Sequence, residues 1–211
     1  MPGKLSRGLS VIHKCSDPSS SLYCSALQFV DSDLKYIGTT APPRYQCLEN
    51  AVMENIATGC TVIFGEELRQ LFLEAEATKM HMHDWWLYLL ASAFGNVVFD
   101  PEHLVLYRRH QDTVTGLQLK SSRTLMARLK GFWGFIFNTR QLYGLSQAVI
   151  FGKTYDSRLS PEQQKLFSQL HRLHEFNHLW DRINFAARSS VLFNDKLDNF
   201  AVRLLVLLGK Y

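Results

Sequence analysis

His83-Asp84-Trp85-Trp86 opens the most apolar stretch of the chain, a run that reads as a helix from Asp84 to Phe94 and stops at Gly95. Apolar residues at 87, 90, 91 and 94 repeat at the helical interval, and Trp86, Leu89 and Ala93 cover a neighbouring stripe. The spacing predicts a helix buried on most sides. A buried helix has little physical reason to begin with an acid unless that acid caps it or works. First-turn N–H groups and the positive end of the helix dipole favour a charged carboxylate by ~0.3–1 kcal/mol. Asp84 is therefore expected to be ionised, as a plain N-cap or as a base.

Upstream of this helix, Leu5, Leu9 and Ile12 fall at i, i+4 and i+7 in a short amphipathic segment over 4–14, and Leu22 to Val30 reads as a strand. Cys47 to Asn55 has helical spacing, Thr58 to Phe64 reads as a compact strand, and Glu66 to Ala75 as a further helix. Downstream, Asn96 to Phe99 and Leu104 to Tyr107 are short β-prone runs separated by Asp100-Pro101-Glu102-His103. This alternation predicts an α/β layer structure. The character changes near residue 118. Arg123 to Phe137 is basic and aromatic, Pro161 to Arg188 is a long helical pattern, and Leu197 to Leu208 is a short apolar helix. Two units are expected, 1–118 and a helical region over 119–211.

With 46% hydrophobic and 20% charged residues, the 211-residue chain can bury a sizeable core. Its net charge of +4 suits anionic substrates or a membrane surface and does not call for nucleic acid. The sequence has no run of 18 apolar residues, and Met1 to Arg7 lacks the apolar core of a signal peptide. The expectation is cytoplasmic, with the inner face of the membrane left open. Cys15, Cys24, Cys47 and Cys60 form no CxxC pair and read as reduced thiols.

Three constellations carry alternative readings. Asp31-Ser32-Asp33 has the spacing with which two acids hold a divalent cation, and equally that of a polar turn. His171, His174 and His178 share one helical arc, as a zinc pair does, but with no Glu or Cys helper expected on it; a partly exposed flank is the plainer reading. Arg123 to Arg140 mixes Arg123, Arg128, Lys130 and Arg140 with Phe132, Trp133, Phe135 and Phe137, a pattern that serves either an anionic membrane surface or packing on its own domain.

Four stretches taken together resemble one family in order and spacing: Glu54-Asn55-Ile56-Ala57-Thr58-Gly59-Cys60-Thr61, Met82-His83-Asp84-Trp85-Trp86, Phe94-Gly95, and Leu106-Tyr107-Arg108-Arg109-His110-Gln111-Asp112-Thr113 with Val114-Thr115-Gly116. They are similar to the family 2 glycosyltransferases of the bacterial polysaccharide type, including rhamnosyltransferases. The resemblance runs from about residue 1 to 118 and implies a partial GT-A (Rossmann-like) domain, with a nucleotide-sugar donor and a saccharide acceptor as partners and a divalent cation, Mn or Mg, as cofactor. It implies that Asp84 is the base of an inverting transfer and that Trp85 and Trp86 wall a sugar ring. Thr58, Gly59 and Cys60 would line the acceptor side, Gly59 allowing close backbone approach. His110, with Arg108 and Arg109, would stand on the donor diphosphate or metal side, His110 as a metal ligand.

Pro2-Gly3-Lys4-Leu5 resembles the Lys-Leu helix that follows the metal motif in that family. The chain is thus expected to begin just after that motif, to lack the nucleotide-binding half and to be inactive alone. Asp31-Ser32-Asp33 falls too late to replace the motif. The alternative is a non-catalytic carbohydrate-binding or scaffolding protein that pairs with a separate nucleotide-binding chain.

Overall fold

The computed structural model describes residues 2–109, 143–175 and 178–209. Everything is hung on strand β1 (Ser21–Val30), a run so apolar that nearly every residue of it is buried. Burial of both faces of a strand requires cover on both sides. Helix α1 (Lys4–Ile12) lies over one face, and α4 (His83–Phe94) packs over the other, where Leu22 and Cys24 join its core.

One edge of β1 is shared by two short strands. β2 (Tyr36–Thr39) pairs antiparallel with Gln28–Val30, and β3 (Ile63–Phe64) pairs antiparallel with Leu22 and Tyr23. On the opposite edge runs β4 (Asn96–Arg108), parallel to β1. The result is a four-stranded mixed sheet between helices, an α/β architecture. The two β-prone runs expected around Asp100-Pro101-Glu102-His103 are one strand with a break in its ladder. Pairing jumps from Ser25↔Asp100 to Leu27↔Val105. Proline has no N–H to donate, so the ladder yields at Pro101. The expanded side is pinned by Asp100, whose buried carboxylate accepts from Arg7 Nε (2.6 Å), Arg7 Nη2 (3.0 Å) and Tyr23 OH (2.9 Å).

Three further sequence expectations change. Thr58 to Phe64 is a strand only at Ile63–Phe64; Gly59–Thr61 is a 3₁₀ turn, closed by Thr61 N donating to Thr58 O (2.7 Å). The helix expected over Cys47 to Asn55 is only α2 (Leu48–Ala51), which the polar loop 54–58 leaves early. The long pattern Pro161 to Arg188 is two helices, α6 (Pro161–Glu175) and α7 (Leu179–Arg188), because His178 takes an extended conformation (φ −69, ψ 149) that starts the second. Between β3 and α4 lies α3 (Glu66–Glu74), as the periodicity predicts. Helix α5 (Tyr143–Tyr155) precedes α6, and α8 (Lys196–Leu207) ends the described chain with Asp195 as its N-cap. The basic aromatic segment 123–140 lies outside the described residues.

Helix α4 is buried from Asp84 through Ala91. Its far side is covered by α5: Trp86 meets the Phe151 ring edge-on at a centroid distance of 5.3 Å, and Phe94 stacks on Phe151 at 6.2 Å. Tyr155 OH donates to Leu71 O (2.7 Å), tying α5 to α3, and Gln163 Nε2 donates to Ala93 O (2.8 Å), tying α6 to α4. One hydrophobic core therefore runs from the sheet into the C-terminal helices. Gly95 reverses the chain between α4 and β4 where nothing larger fits, since a Cβ there would lie 1.8 Å from Ser20 O. α4 rises ~18 Å along its twelve residues. Its first turn lies at the other end of the helix, beside the 55–59 loop, and the candidate site is there.

Candidate functional site

Asp84 is not the N-cap of α4. That position is Met82, with no side-chain cap, and its N–H donates instead to Gln147 Oε1 of α5 (3.1 Å), which also accepts from His81 N (3.1 Å). Asp84 sits two residues inside, buried at 7% exposure, and gathers groups from three places. Oδ1 accepts from Trp85 N (2.7 Å) and from Asn55 Nδ2 (3.1 Å); Oδ2 accepts from Gly59 N (2.9 Å). The carboxylate still meets a first-turn N–H, so it does the electrostatic work of a cap from within the helix. Each carboxylate oxygen can accept twice. Among the described residues Oδ1 has two protein donors and Oδ2 one, which leaves Oδ2 able to accept from a ligand hydroxyl.

Gly59 reaches Asp84 because it has no side chain. A Cβ at 59 would stand 2.9 Å from His83 Nε2 and 3.5 Å from Asp84 Oδ2. The exposed His83 ring therefore forms the outer wall of this corner. The turn that presents Gly59 is held at the Thr58 carbonyl, which accepts from both Thr61 N (2.7 Å) and Thr61 Oγ1 (2.8 Å). Cys60 is exposed, and its carbonyl accepts from Lys4 Nζ at the start of α1. Partial desolvation pushes the Cys60 thiol up. Thr58, Gly59, Cys60 and Asp84 thus share one corner.

Trp85 and Trp86 do not wall that corner. Trp85 is 9% exposed with its Nε1 donating to Ala51 O (2.6 Å), and Trp86 is 1% exposed against Phe151 and Tyr155. Both indoles belong to the core, where their large apolar area is best spent; the sugar-facing role expected of them is replaced by a structural one. Arg108 and Arg109 stand at the carboxyl end of β4. Arg108 is exposed, while Arg109 donates its N–H to Val30 O (2.9 Å) and holds its guanidinium 5.7 Å above the Phe29 ring. Among the described residues neither is hydrogen-bonded to the Asp84 corner. His110 lies outside the described residues, and its role as metal ligand with it.

Asp31-Ser32-Asp33 is a turn. Asp31 Oδ1 accepts from Asp33 N (2.9 Å) and Lys35 N (2.8 Å), closing the β1–β2 hairpin. His171 and His174 do have an acidic neighbour, contrary to the helical-arc reading: each Nδ1 lies 3.9 Å from Glu175 Oε1, which also accepts from Lys153 Nζ (3.2 Å). Among the described residues no group of three His, Cys, Asp or Glu side chains is arranged so that it could hold a metal ion. No helix among them is long and apolar enough to cross a membrane.

Two residues at the corner stand out only in three dimensions. Asn55 and His83 belong to stretches that bear the family resemblance, yet nothing in their spacing marks them as partners of Asp84 and Gly59. Amide-to-carboxylate pairing across 29 positions has no periodic signature. A scan against protein-family models, a search of curated proteins and a search of solved structures each return no match for this chain.

Proposed function

We propose that the chain is the acceptor-side part of an inverting glycosyltransferase of the GT-A kind, acting on a nucleotide-sugar donor and a saccharide acceptor, with Asp84 as the base. The observation that carries this reading is the Asp84 carboxylate, fixed by Asn55 Nδ2 and Gly59 N with accepting capacity left on Oδ2. A general base must be held within hydrogen-bond reach of the proton it takes, in a fixed orientation. In the step, the acceptor hydroxyl gives its proton to Oδ2 as its oxygen forms a bond to the anomeric carbon. The bond from that carbon to the diphosphate oxygen breaks, and the nucleoside diphosphate leaves with the electron pair. Attack opposite the leaving group inverts the anomeric centre. Cys60, the Gly59 backbone and His83 are the chain's contribution to the acceptor side. The donor site and any divalent cation are assigned to no described residue.

The test is turnover by the native gene product, any in-frame upstream sequence included, with dTDP-rhamnose and UDP-glucose as donors and nucleoside diphosphate release as the readout. Asp84→Asn is expected to lower kcat by about 10²–10⁴-fold. Undiminished turnover refutes the base, and no donor consumption with a broad acceptor panel refutes the transferase.

A further inference from the structure

The Asp84 corner is connected to the C-terminal part of the chain by hydrogen bonds on either side of the Glu54–Asn55 peptide bond. Asn55, which binds Asp84, is locked in place by its own Oδ1 accepting from Ala57 N (2.9 Å). Its neighbour Glu54 is clamped on one oxygen: Oε2 accepts from Asn50 Nδ2 (2.7 Å), Asn194 N (2.7 Å) and Asn194 Nδ2 (2.9 Å). Asn194 Oδ1 accepts from Arg44 N (2.7 Å) and Tyr45 N (3.0 Å), so this one amide fastens two loops. Fully buried Asn50 extends the set, donating to Leu192 O (3.0 Å) and accepting from Tyr88 OH of α4 (3.0 Å). Leu192 N donates to Glu49 O (2.9 Å). Burial pushes the Glu54 carboxyl up, and the N–H donors work against it.

Glu54 and Asn55 are consecutive, so the peptide between them is held from both sides: by residue 194 on one and by Asp84 on the other. A shift of the C-terminal segment must move Asn55 and the turn that carries Gly59 N–H. Misplacing a reacting group by about 1 Å can cost about 10²-fold in rate. We propose that residues 189–195 form a strap that positions the Asp84 carboxylate, with Asn194 and Glu54 as positioning residues. This rests on Asp84 being the base.

The Gly59 amide reports on the strap directly, because it is bonded to Asp84 Oδ2. In the ¹⁵N-labelled chain, Asn194→Ala is expected to speed hydrogen exchange at Gly59 by about tenfold or more, a local opening. Glu54→Ala, which cuts the clamp from the other side, is expected to match it. Glu54→Gln keeps an accepting oxygen and is expected to restore slow exchange. Tyr155→Phe removes a buried hydroxyl that donates to Leu71 O and accepts from Trp86 Nε1, away from the strap, and serves as the control for general loosening. In the native gene product, Asn194→Ala is expected to lower kcat about tenfold with acceptor KM unchanged, and Tyr155→Phe to leave kcat alone. Gly59 exchange no faster in Asn194→Ala and Glu54→Ala than in Tyr155→Phe overturns the strap. Failure of the base reading is separate and shows as undiminished turnover of Asp84→Asn, whatever the exchange data.

Discussion

Replacing Asp84 by asparagine changes one atom and breaks an exact count of donors and acceptors. The carboxylate offers two oxygens to three N–H groups: Asn55 Nδ2 and Trp85 N on Oδ1, Gly59 N on Oδ2. Asparagine has one oxygen. With that oxygen at the Oδ1 position, its NH₂ confronts Gly59 N–H; turned over, it confronts Asn55 and Trp85. At least one donor at this buried position loses its acceptor, at a cost of ~1–3 kcal/mol. For a chain of this size each kcal/mol lowers Tm by about 2–4 °C, so a fall of about 2–12 °C is expected at pH 7. Calorimetry reads the shift, and ¹⁵N spectra read which way the amide turns, since Gly59 loses protection only in the first orientation. The loss of turnover should be measured well below the variant's Tm, where folding no longer contributes. An unchanged Tm with Gly59 still protected refutes the donor count on which the site is built.

Other perturbations probe the frame around the site. Tyr23→Phe removes a donor to buried Asp100 and is expected to cost ~1.5–3 kcal/mol at neutral pH, as for a hydrogen bond to a charged group. Arg7, the Glu102 amide and Tyr23 hold the Asp100 carboxyl below its usual range. Their stabilisation is therefore present above the unfolded value of about 3.9 and is lost as pH falls through the lower folded value. The wild-type and Tyr23→Phe melting points should converge in acid, and a gap that persists there denies the carboxylate its part. Gly95→Ala drives a Cβ into the Ser20 backbone, which cannot swing aside, and should destabilise by at least ~1–3 kcal/mol in urea titration. Burial pushes the Cys24 thiol up to about 12, whereas Cys60 is exposed. Iodoacetamide at pH 8 should label Cys60 in the native protein and reach Cys24 only on unfolding; native labelling of Cys24 would place β1 outside the core.

How far the chain could be read in one dimension follows from the range of each interaction. The apolar repeat at 87, 90, 91 and 94 is local, and it located α4 and its burial without help from the rest of the chain. Leu22 to Val30 did the same for β1, and the Pro101 break in β4 was visible as a gap between two β-prone runs. Thr58 to Phe64 was misread because a Gly-Cys-Thr turn and a two-residue strand have the composition of one longer strand. Only the Thr58 carbonyl, accepting twice from Thr61, separates them. The two tryptophans after Asp84 were placed on a helix correctly and on the wrong side of the site. Composition marks an indole as large and apolar; it does not say which surface will bury it.

By itself the sequence determined that an α/β layer forms, that its central helix carries an acid in its first turn, and that Gly59 and Asp84 lie in stretches that resemble one family. Those facts rest on period, propensity and motif, all legible within a dozen residues. Tertiary structure alone decided that Asp84 is bonded by Asn55 and Gly59 rather than capping its helix, and that Glu54 beside it is clamped from residue 194. Such bonds join side chains and backbone groups 25 to 140 positions apart. No periodicity records them, because what selects each partner is the geometry left once the core has packed. His83-Asp84 opens the central helix in either description, but only the folded chain shows that one Asp84 oxygen accepts from two N–H groups and the other from one.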